Sequence, residues 1–285
     1  MTEKITGGEK GQRRVKTVGR KKKETVFEKN YSIQSIHRAA RILRAFSRER
    51  KQISLTEMHK ITGIGKSNLQ RLLSTLVYEG FLQKNEETKR YQLGLELLFL
   101  GGLVEKNSSL LAIAVPVMKK LNESTKEVVS LSIIDNNERK CIYSLNSHYE
   151  LTALIFAGQT SPLYAGASAK VLLAYLPPQA QEEYLRNAAL EKITENTIVS
   201  MEELRKELET IRRQGYAISR GERVRGAVSL SAPVFNPFGE IFASVTITIP
   251  SVRLEDYDVV LLIKQLVEGT RDITNKLRPN GSLEH

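Results

Sequence analysis

From Ser35 onward apolar residues recur at helical spacing, with Ile36, Ala39, Ala40, Leu43 and Phe46 on one stripe, which predicts an amphipathic helix with that side inward. A second, short helix follows. Ser54 with Glu57 three residues on has the spacing of a capping box. Leu55, Met58 and Ile61 mark that helix's inner side, and Thr62-Gly63 ends it. After the turn Gly63-Ile64-Gly65, a third helix is predicted over about 66–79, with Leu69, Leu72, Leu73 and Leu76 at i, i+3, i+4 and i+7 and Gly80 as its C-cap. Residues 81–83 and 90–93 then flank a polar turn at 85–88 and read as a two-stranded hairpin, the wing of a winged helix-turn-helix.

Two apolar helical stretches come next, 95–106 and 110–124, separated by Asn107-Ser108-Ser109. Beyond them the pattern predicts strands near 128–134, 141–145 and 151–156, a helix near 168–176 stopped by Pro177-Pro178, and helices near 179–187 and 201–214. Strands near 216–219, 227–234 and 241–249 follow, then a last helix over 254–277. Two groups of three strands around a helical middle predict an α+β domain on an antiparallel sheet. The expected organisation is a disordered basic arm at 1–30, a winged helix-turn-helix DNA-binding domain at 31–94, a linker helix at 95–109, a second domain at 110–278, and a tail at 279–285. The final Leu283-Glu284-His285 resembles the remnant of an expression tag. No internal repeat is visible.

Charge sharpens this division. The chain of 285 residues has a formal net charge of +11. Residues 1–30 hold ten Lys/Arg against four Glu, residues 31–100 hold twelve against six, and the remainder is close to neutral with 21 against 22. The polyanionic partner therefore belongs to the first hundred residues. The arm, with Arg20-Lys21-Lys22-Lys23, has too little apolar content to order itself and suits non-specific phosphate contact. Arg38, Arg41, Arg44 and Arg48 form a basic stripe on the first helix, for which a plain solvated face is an equal account. One cysteine, Cys141, excludes an internal disulfide and any CxxC zinc module, which fits a reducing cytoplasm. The longest apolar runs are broken by Gly94, Glu96, Gly101 and Gly102, short of the ~20 residues a bilayer needs. Neither a membrane span nor a secretory signal is expected.

The segment SLTEMHKITGIGKSNLQRLLSTL (54–76) has the parts of a helix-turn-helix: a capped short helix, a glycine turn, and a second helix docked by its apolar side. Its outward side carries Lys66, Ser67, Asn68, Gln70, Arg71, Ser74 and Thr75. Gln and Asn can bond adenine bidentately and Arg guanine, while Ser, Lys and a helix N-terminus suit phosphate. The candidate DNA-binding residues are Ser54, Thr56, Lys66, Ser67, Asn68, Gln70, Arg71 and Ser74, with Lys84, Lys89 and Arg90 on the wing. A generic helical bundle with a wet exterior would give a similar pattern without the charge partition. Gly65-Lys66-Ser67 imitates the end of a phosphate-binding P-loop, but Lys60 stands where that motif needs glycine, and the preceding segment reads as helix rather than strand.

Together these segments resemble the IclR family of bacterial regulators. The likeness runs from residue 32 to about 278 through the helix-turn-helix, GFLQKNEETKRYQLGLELLFLG (80–101), SPLYAGASAKVLLAYLP (161–177), RRQGYAISRGERVRGAVSLSAPVFNPFGE (212–240) and the strand ending in Pro250. It implies a linker helix leading to a GAF-like effector-binding domain, and homodimers or homotetramers on roughly palindromic double-stranded DNA. It also implies a small-molecule effector, often a carboxylate, controlling a regulator of repressor type. The effector loop implied is Ala165-Gly166-Ala167-Ser168, where a helix N-terminus suits an anion. Many members carry an acidic residue where this chain has Ser219 and a cysteine where it has Ser229. Two neutral hydroxyls are poor ligands for soft or borderline metals, so a metal-free pocket is expected, with Leu131 and Leu154 as apolar walls.

Catalysis finds little support. Of four histidines, His37 and His59 lie in the DNA-binding part, His148 in a loop and His285 in the tail, and neither His148 nor Cys141 has a sequence partner for a triad or metal cluster. Ser168 and Lys170, two apart, diverge on a helix. No enzyme activity and no cofactor are expected. A ligand-independent architectural DNA-binding protein with an oligomerisation domain is the alternative.

Overall fold

In the computed structural model, which describes residues 33–47, 50–107 and 109–278, the chain separates into two compact units divided between Gly101 and Gly102. The arm expected at 1–30, Arg48 of the basic stripe and the tail at 279–285 lie outside the described residues.

Helices α1 (Gln34–Leu43), α2 (Leu55–Thr62) and α3 (Lys66–Tyr78) build the first unit around Ile42, Met58, Leu69, Leu73 and Leu76. The capping box forms at Ser54, and Gly63 ends α2 in the left-handed conformation at φ +68°, which glycine adopts without a Cβ clash. His59 donates from Nδ1 to the carbonyl of Ile64 at 2.7 Å and holds the turn between the two helices. Strands β1 (Ile53–Ser54), β2 (Leu82–Lys84) and β3 (Arg90–Leu93) pair antiparallel in the order β1-β3-β2. The wing thus has a third strand that periodicity missed, because two residues cannot show an alternation. Ile36 and Ile61, placed inward by periodicity, are exposed: three short helices cover only the centre of each apolar stripe.

Helix α4 (Glu96–Asn107) spans the division between the two units, and α5 (Ser109–Thr125) follows it. Strands β4 (Val128–Asp135), β5 (Glu138–Leu145) and β6 (Thr160–Pro162) precede α6 (Ala167–Ala174), α7 (Pro178–Asn187) and α8 (Met201–Gln214). Strands β7 (Ala217–Arg220), β8 (Ala227–Phe235) and β9 (Ile241–Pro250) follow, then a 3-10 turn at Ser251–Asp256 and helix α9 (Val259–Leu277). The six strands form one antiparallel sheet in the order β6-β5-β4-β9-β8-β7.

Two expectations are corrected here. Residues 151–156 form no strand; the third strand of that group is β6. The intervening segment, 146–159, runs as an irregular strap whose Gly158, at φ +89°, donates to the carbonyl of Cys141 at 2.7 Å. The last helix also starts later than periodicity placed it, because Asp258 caps it, accepting from the N–H groups of Val260 and Leu261 at 3.0 and 3.1 Å.

Alternation gives the sheet two unlike faces. Val129 and Leu131 of β4, Leu230, Ala232 and Val234 of β8, and Val245, Ile247 and Ile249 of β9 pack with α5 and α9 in the main core. The alternate positions are hydroxyls: Ser130 and Ser132, Ser229 and Ser231, Ser244, Thr246 and Thr248. Register aligns them in rows, Ser219 beside Ser229 beside Thr248, and Ser231 beside Thr246 beside Ser130. Helix α6 lies over this face, backed by α7 and α8 through Val171, Leu172, Leu185, Leu204 and Leu208.

Gly94 donates to the carbonyl of Phe81 at 2.8 Å, and a Cβ at Gly94 would stand 1.9 Å from the carbonyl oxygen of Gly80, a backbone atom that cannot swing aside. Gly94→Ala is expected to destabilise the first unit by about 1–3 kcal/mol. Gly101→Ala, on α4, would meet nothing within 4 Å and is expected to raise stability by up to about 1 kcal/mol through helix propensity. Urea unfolding of both variants checks the two signs.

Candidate nucleic-acid interface and ligand pocket

Burying Leu69, Leu73 and Leu76 fixes which side of α3 faces water. Lys66, Ser67, Asn68, Gln70, Arg71, Ser74 and Thr75 are all exposed. Among them Thr75 is committed to its own helix, its hydroxyl donating to the carbonyl of Arg71 at 3.0 Å. Gly65 stands at the N-cap with no side chain to bond the first-turn N–H groups, which leaves them available to a phosphate. Thr56 is exposed in the first turn of α2.

The remaining candidates divide by their partners. The Ser54 hydroxyl donates to Glu57 Oε2 at 2.8 Å and accepts from the Glu57 N–H at 3.3 Å, so it serves the cap. Arg90 reaches across from β3 to both Glu57 oxygens at 2.7 and 3.0 Å and to the carbonyl of Gln52 at 3.1 Å. The guanidinium thus braces the wing against the capped end of α2. Three interactions hold the Glu57 carboxyl down at about 2: the Ser54 N–H foremost, then the Ser54 hydroxyl, then Arg90. Lys84 and Lys89 flank Glu86 at 3.1 and 3.0 Å at the wing tip.

In the second unit, the N-terminus of α6 points across the hydroxyl face. Gly166, Ala167 and Ser168 line a cavity of about 20 Å³, room for one water, together with Ser219, Ser229 and other hydroxyls of the rows. Gly166 takes φ +89° at the N-cap and supplies no side-chain cap. Ala165 is buried in the α6 cluster beside the cavity without lining it. Both leucine walls are corrected. Leu131 sits on the opposite, apolar face, since it is one residue out of phase with Ser130. Leu154 is 61% exposed on the strap, and its neighbour Ile155 reaches the cavity instead. The strap is pinned at its base by Arg253, which donates to both oxygens of buried Glu127 at 2.7 and 3.0 Å and to the carbonyl of Leu151 at 2.7 Å.

Two cationic cavity residues, among others, were not read from the sequence. Arg139, on β5, is 1% exposed; its Nε donates to Ser161 at 3.0 Å and its Nη1 to Ser132 at 3.3 Å, while its Nη2 has no partner among the described residues. Arg223 lies in the loop between β7 and β8, its Nε 3.9 Å from where a Cβ on Gly166 would be. Burial pulls the Arg139 guanidinium down to about 10, and the like charge of Arg223 adds to it; burial also lowers Arg223. The parity of Arg139 with buried Cys141 on β5 is the signal that could have found it. Asn136-Asn137-Glu138 beside it reads as a solvated turn, and the predicted strand began only at Cys141. Glu222, the one carboxylate lining the cavity among the described residues, bonds Lys170 at 2.6 Å through Oε1 and the Gly166 N–H at 3.0 Å through Oε2. Lys170 also bonds Glu207 at 2.8 Å.

A winged helix with a polar reading helix, joined in one chain to an α+β domain with a cationic, hydroxyl-lined cavity, defines a ligand-responsive DNA-binding protein. Residues 35–86 match the IclR helix-turn-helix domain, and residues 103–275 match the bacterial transcriptional regulator IclR C-terminal domain; the chain belongs to the IclR family of transcriptional regulators. It is similar to the HTH-type transcriptional regulator KdgR of Escherichia coli (strain K12), 30% identical over 246 residues spanning 86% of this chain and 93% of that protein. The transcriptional repressor IclR of the same strain is 25% identical over 260 residues, 90% and 94% of the two chains. Among solved structures, an IclR transcriptional regulator from Alicyclobacillus acidocaldarius matches with a TM-score of 0.81 at 26% identity, over 87% of this chain and 100% of that one. The chain is thus a DNA-binding transcriptional regulator with a C-terminal effector-binding domain. Among the described residues no helix is long and apolar enough to cross a membrane.

The brace at Glu57 carries a pH signature. Its folded value lies below the ordinary 4.5, so its stabilisation is fully present above about 4.5 and is lost as pH falls through about 2. Glu57→Gln is expected to lower the melting temperature of the first unit most at neutral pH, the gap to wild type closing between pH 4.5 and 2. Melting curves across that range check it, and a gap independent of pH would count against the brace.

Proposed function

We propose that this chain is a cytoplasmic repressor that binds a roughly palindromic operator as a homodimer or homotetramer, and that a small carboxylate in the α6 cavity sets its affinity for that operator. The observation that carries the reading is the α6 N-terminus facing one buried and one half-buried guanidinium, Arg139 and Arg223, across a floor of hydroxyls, with no apolar wall of leucines. Helix N-terminal N–H groups and arginine suit a carboxylate, and serine and threonine rows suit hydroxyl or keto oxygens on its carbon chain. The effector is therefore a polar acid, held without metal or cofactor. Lys170 is engaged by two carboxylates beside Ser168, which leaves no free amine to activate that hydroxyl and supports binding over catalysis. Ile155 and Val224, from segments without regular structure, border the cavity and are the parts that move when a ligand larger than water enters. Control of DNA binding requires the effector to bind the operator-bound and free states with different affinity.

On DNA, Gln70, Arg71 and Asn68 read base edges, while Lys66, Ser67, Lys84 and Lys89 position the phosphates. Gln70→Ala or Arg71→Ala is expected to relax sequence preference at a cost on the order of 1–3 kcal/mol per bidentate contact. Lys84→Ala is expected to weaken all sites alike. Selection from randomised DNA checks this; an unchanged consensus in both recognition-helix variants would move the reading surface elsewhere.

For the effector, a thermal-shift screen of organic acids is expected to give a hit that stabilises by RT ln(1 + [L]/Kd), about 2.7 kcal/mol at a hundredfold excess over Kd. The same acid should change operator affinity in a gel-shift titration. Ser168→Trp is expected to abolish both effects while leaving operator binding intact. Loss of the hit on chelation and its return with zinc would overturn the metal-free pocket.

A further inference from the structure

Two guanidiniums on the α6 cavity keep donors that no side chain takes up among the described residues, and their number sets how many acidic groups a ligand can place there. Glu222 is the one carboxylate lining the cavity among the described residues, and both its oxygens are taken, by Lys170 at 2.6 Å and the Gly166 N–H at 3.0 Å. Lys170, itself 1% exposed, lies between Glu222 at 2.6 Å and Glu207 at 2.8 Å, so it offers no free cation to a ligand. Two guanidiniums remain. Arg139 is 1% exposed and holds two serine hydroxyls by Nε and Nη1, while its Nη2 has no partner among the described residues. Arg223 borders the same space beside the α6 N-cap and makes no hydrogen bond or ion pair among the described residues. A buried cation without a counter-charge is costly, and so is a buried donor left unmade. Arg139, buried with a spare Nη2, and Arg223, half-buried with its guanidinium unengaged among the described residues, give one cavity two separate cationic anchors, which a ligand with two acidic groups fills and one with a single group does not.

We infer that the effector is a small dianion whose one acidic group sits between Arg223 and the α6 N-terminus and whose other meets Nη2 of Arg139, with the hydroxyl rows beneath the carbon chain. This rests on the effector-pocket reading given above. The two anchors are chemically unlike. Arg139 already uses Nε and Nη1, so it offers one nitrogen to one oxygen. Arg223 has its whole planar fork free, which suits a bidentate carboxylate or phosphate. A dicarboxylate and a phosphorylated acid share this chemistry.

The test is calorimetric titration of the full chain with succinate, L-malate and phosphoglycolate against butyrate, a singly charged acid of similar size. At least one dianion is expected to bind tighter than butyrate by about tenfold or more, equivalent to roughly 1.4 kcal/mol, and the preferred one separates dicarboxylate from phosphorylated acid. Arg139→Gln and, independently, Arg223→Gln should each bring that ratio to near one while butyrate binding persists. Arg223, on a loop and without internal partners, is the variant that tests the inference if Arg139→Gln unfolds. If butyrate matches the dianions in the wild type, or if the preference survives both substitutions, the two-charge inference fails, while loss of all binding in Ser168→Trp would still uphold the pocket. If binding of every acid persists in Ser168→Trp, or no acid binds the wild type, the pocket reading fails with it.

Discussion

The second unit depends on one sheet having two chemically opposite faces. β4, β8 and β9 alternate aliphatic residues with serine and threonine, and antiparallel register brings like against like across the strands. The aliphatic face packs with α5 and α9 and supplies the hydrophobic stabilisation. The hydroxyl face gives little of that, but it tolerates charge nearby because each hydroxyl can donate or accept. Ser132 and Ser161 on that side bind a guanidinium, and Ser231 and Thr246 bond each other at 2.8 Å. An all-aliphatic sheet would pack more firmly and leave Arg139 no place to reside.

Helix α6 completes the site because its own packing is one-sided. Val171, Leu172 and Leu173 anchor it against α7 and α8, which leaves the first turn over the hydroxyl rows. Lys170 and Glu222 then tie the helix to the loop after β7 at 2.6 Å. Because that loop also carries Arg223, the ion pair places the second guanidinium as well as securing the helix. Breaking such a pair by removing one member would leave an uncompensated buried charge, a far larger cost than losing a surface bridge.

The first unit is organised by a smaller device with the same logic. Glu57 accepts from the Ser54 backbone and hydroxyl and from Arg90, so one carboxylate joins the start of α2, strand β1 and the wing. The wing is thereby positioned by a residue that is not itself on the reading surface. The proposed reading surface is free of such obligations, since Lys66, Asn68, Gln70 and Arg71 are exposed on a helix held by Leu69, Leu73 and Leu76.

Periodicity and short-range chemistry determined the helix-turn-helix, its capping box at Ser54 and Glu57, the α+β alternation, and the confinement of positive charge to the first hundred residues. These are local signals: a 3.6-residue or two-residue period and a three-residue cap need no knowledge of what lies opposite. The place of the α6 loop was legible for the same reason, with the family resemblance to fix it. Pocket walls and charge partners were decided only by tertiary structure. Leu131 and Ser130 differ by one residue in phase, and only strand register tells which faces α6. Leu154 and Ile155 sit on a strap whose path no period encodes. Arg90, a wing candidate, gains Glu57 as its partner only through the fold, and Arg139, next to the polar run Asn136-Asn137-Glu138, is buried only in the folded sheet. A charge's role follows from its solvent and its partners, and those come from segments dozens of residues away in sequence.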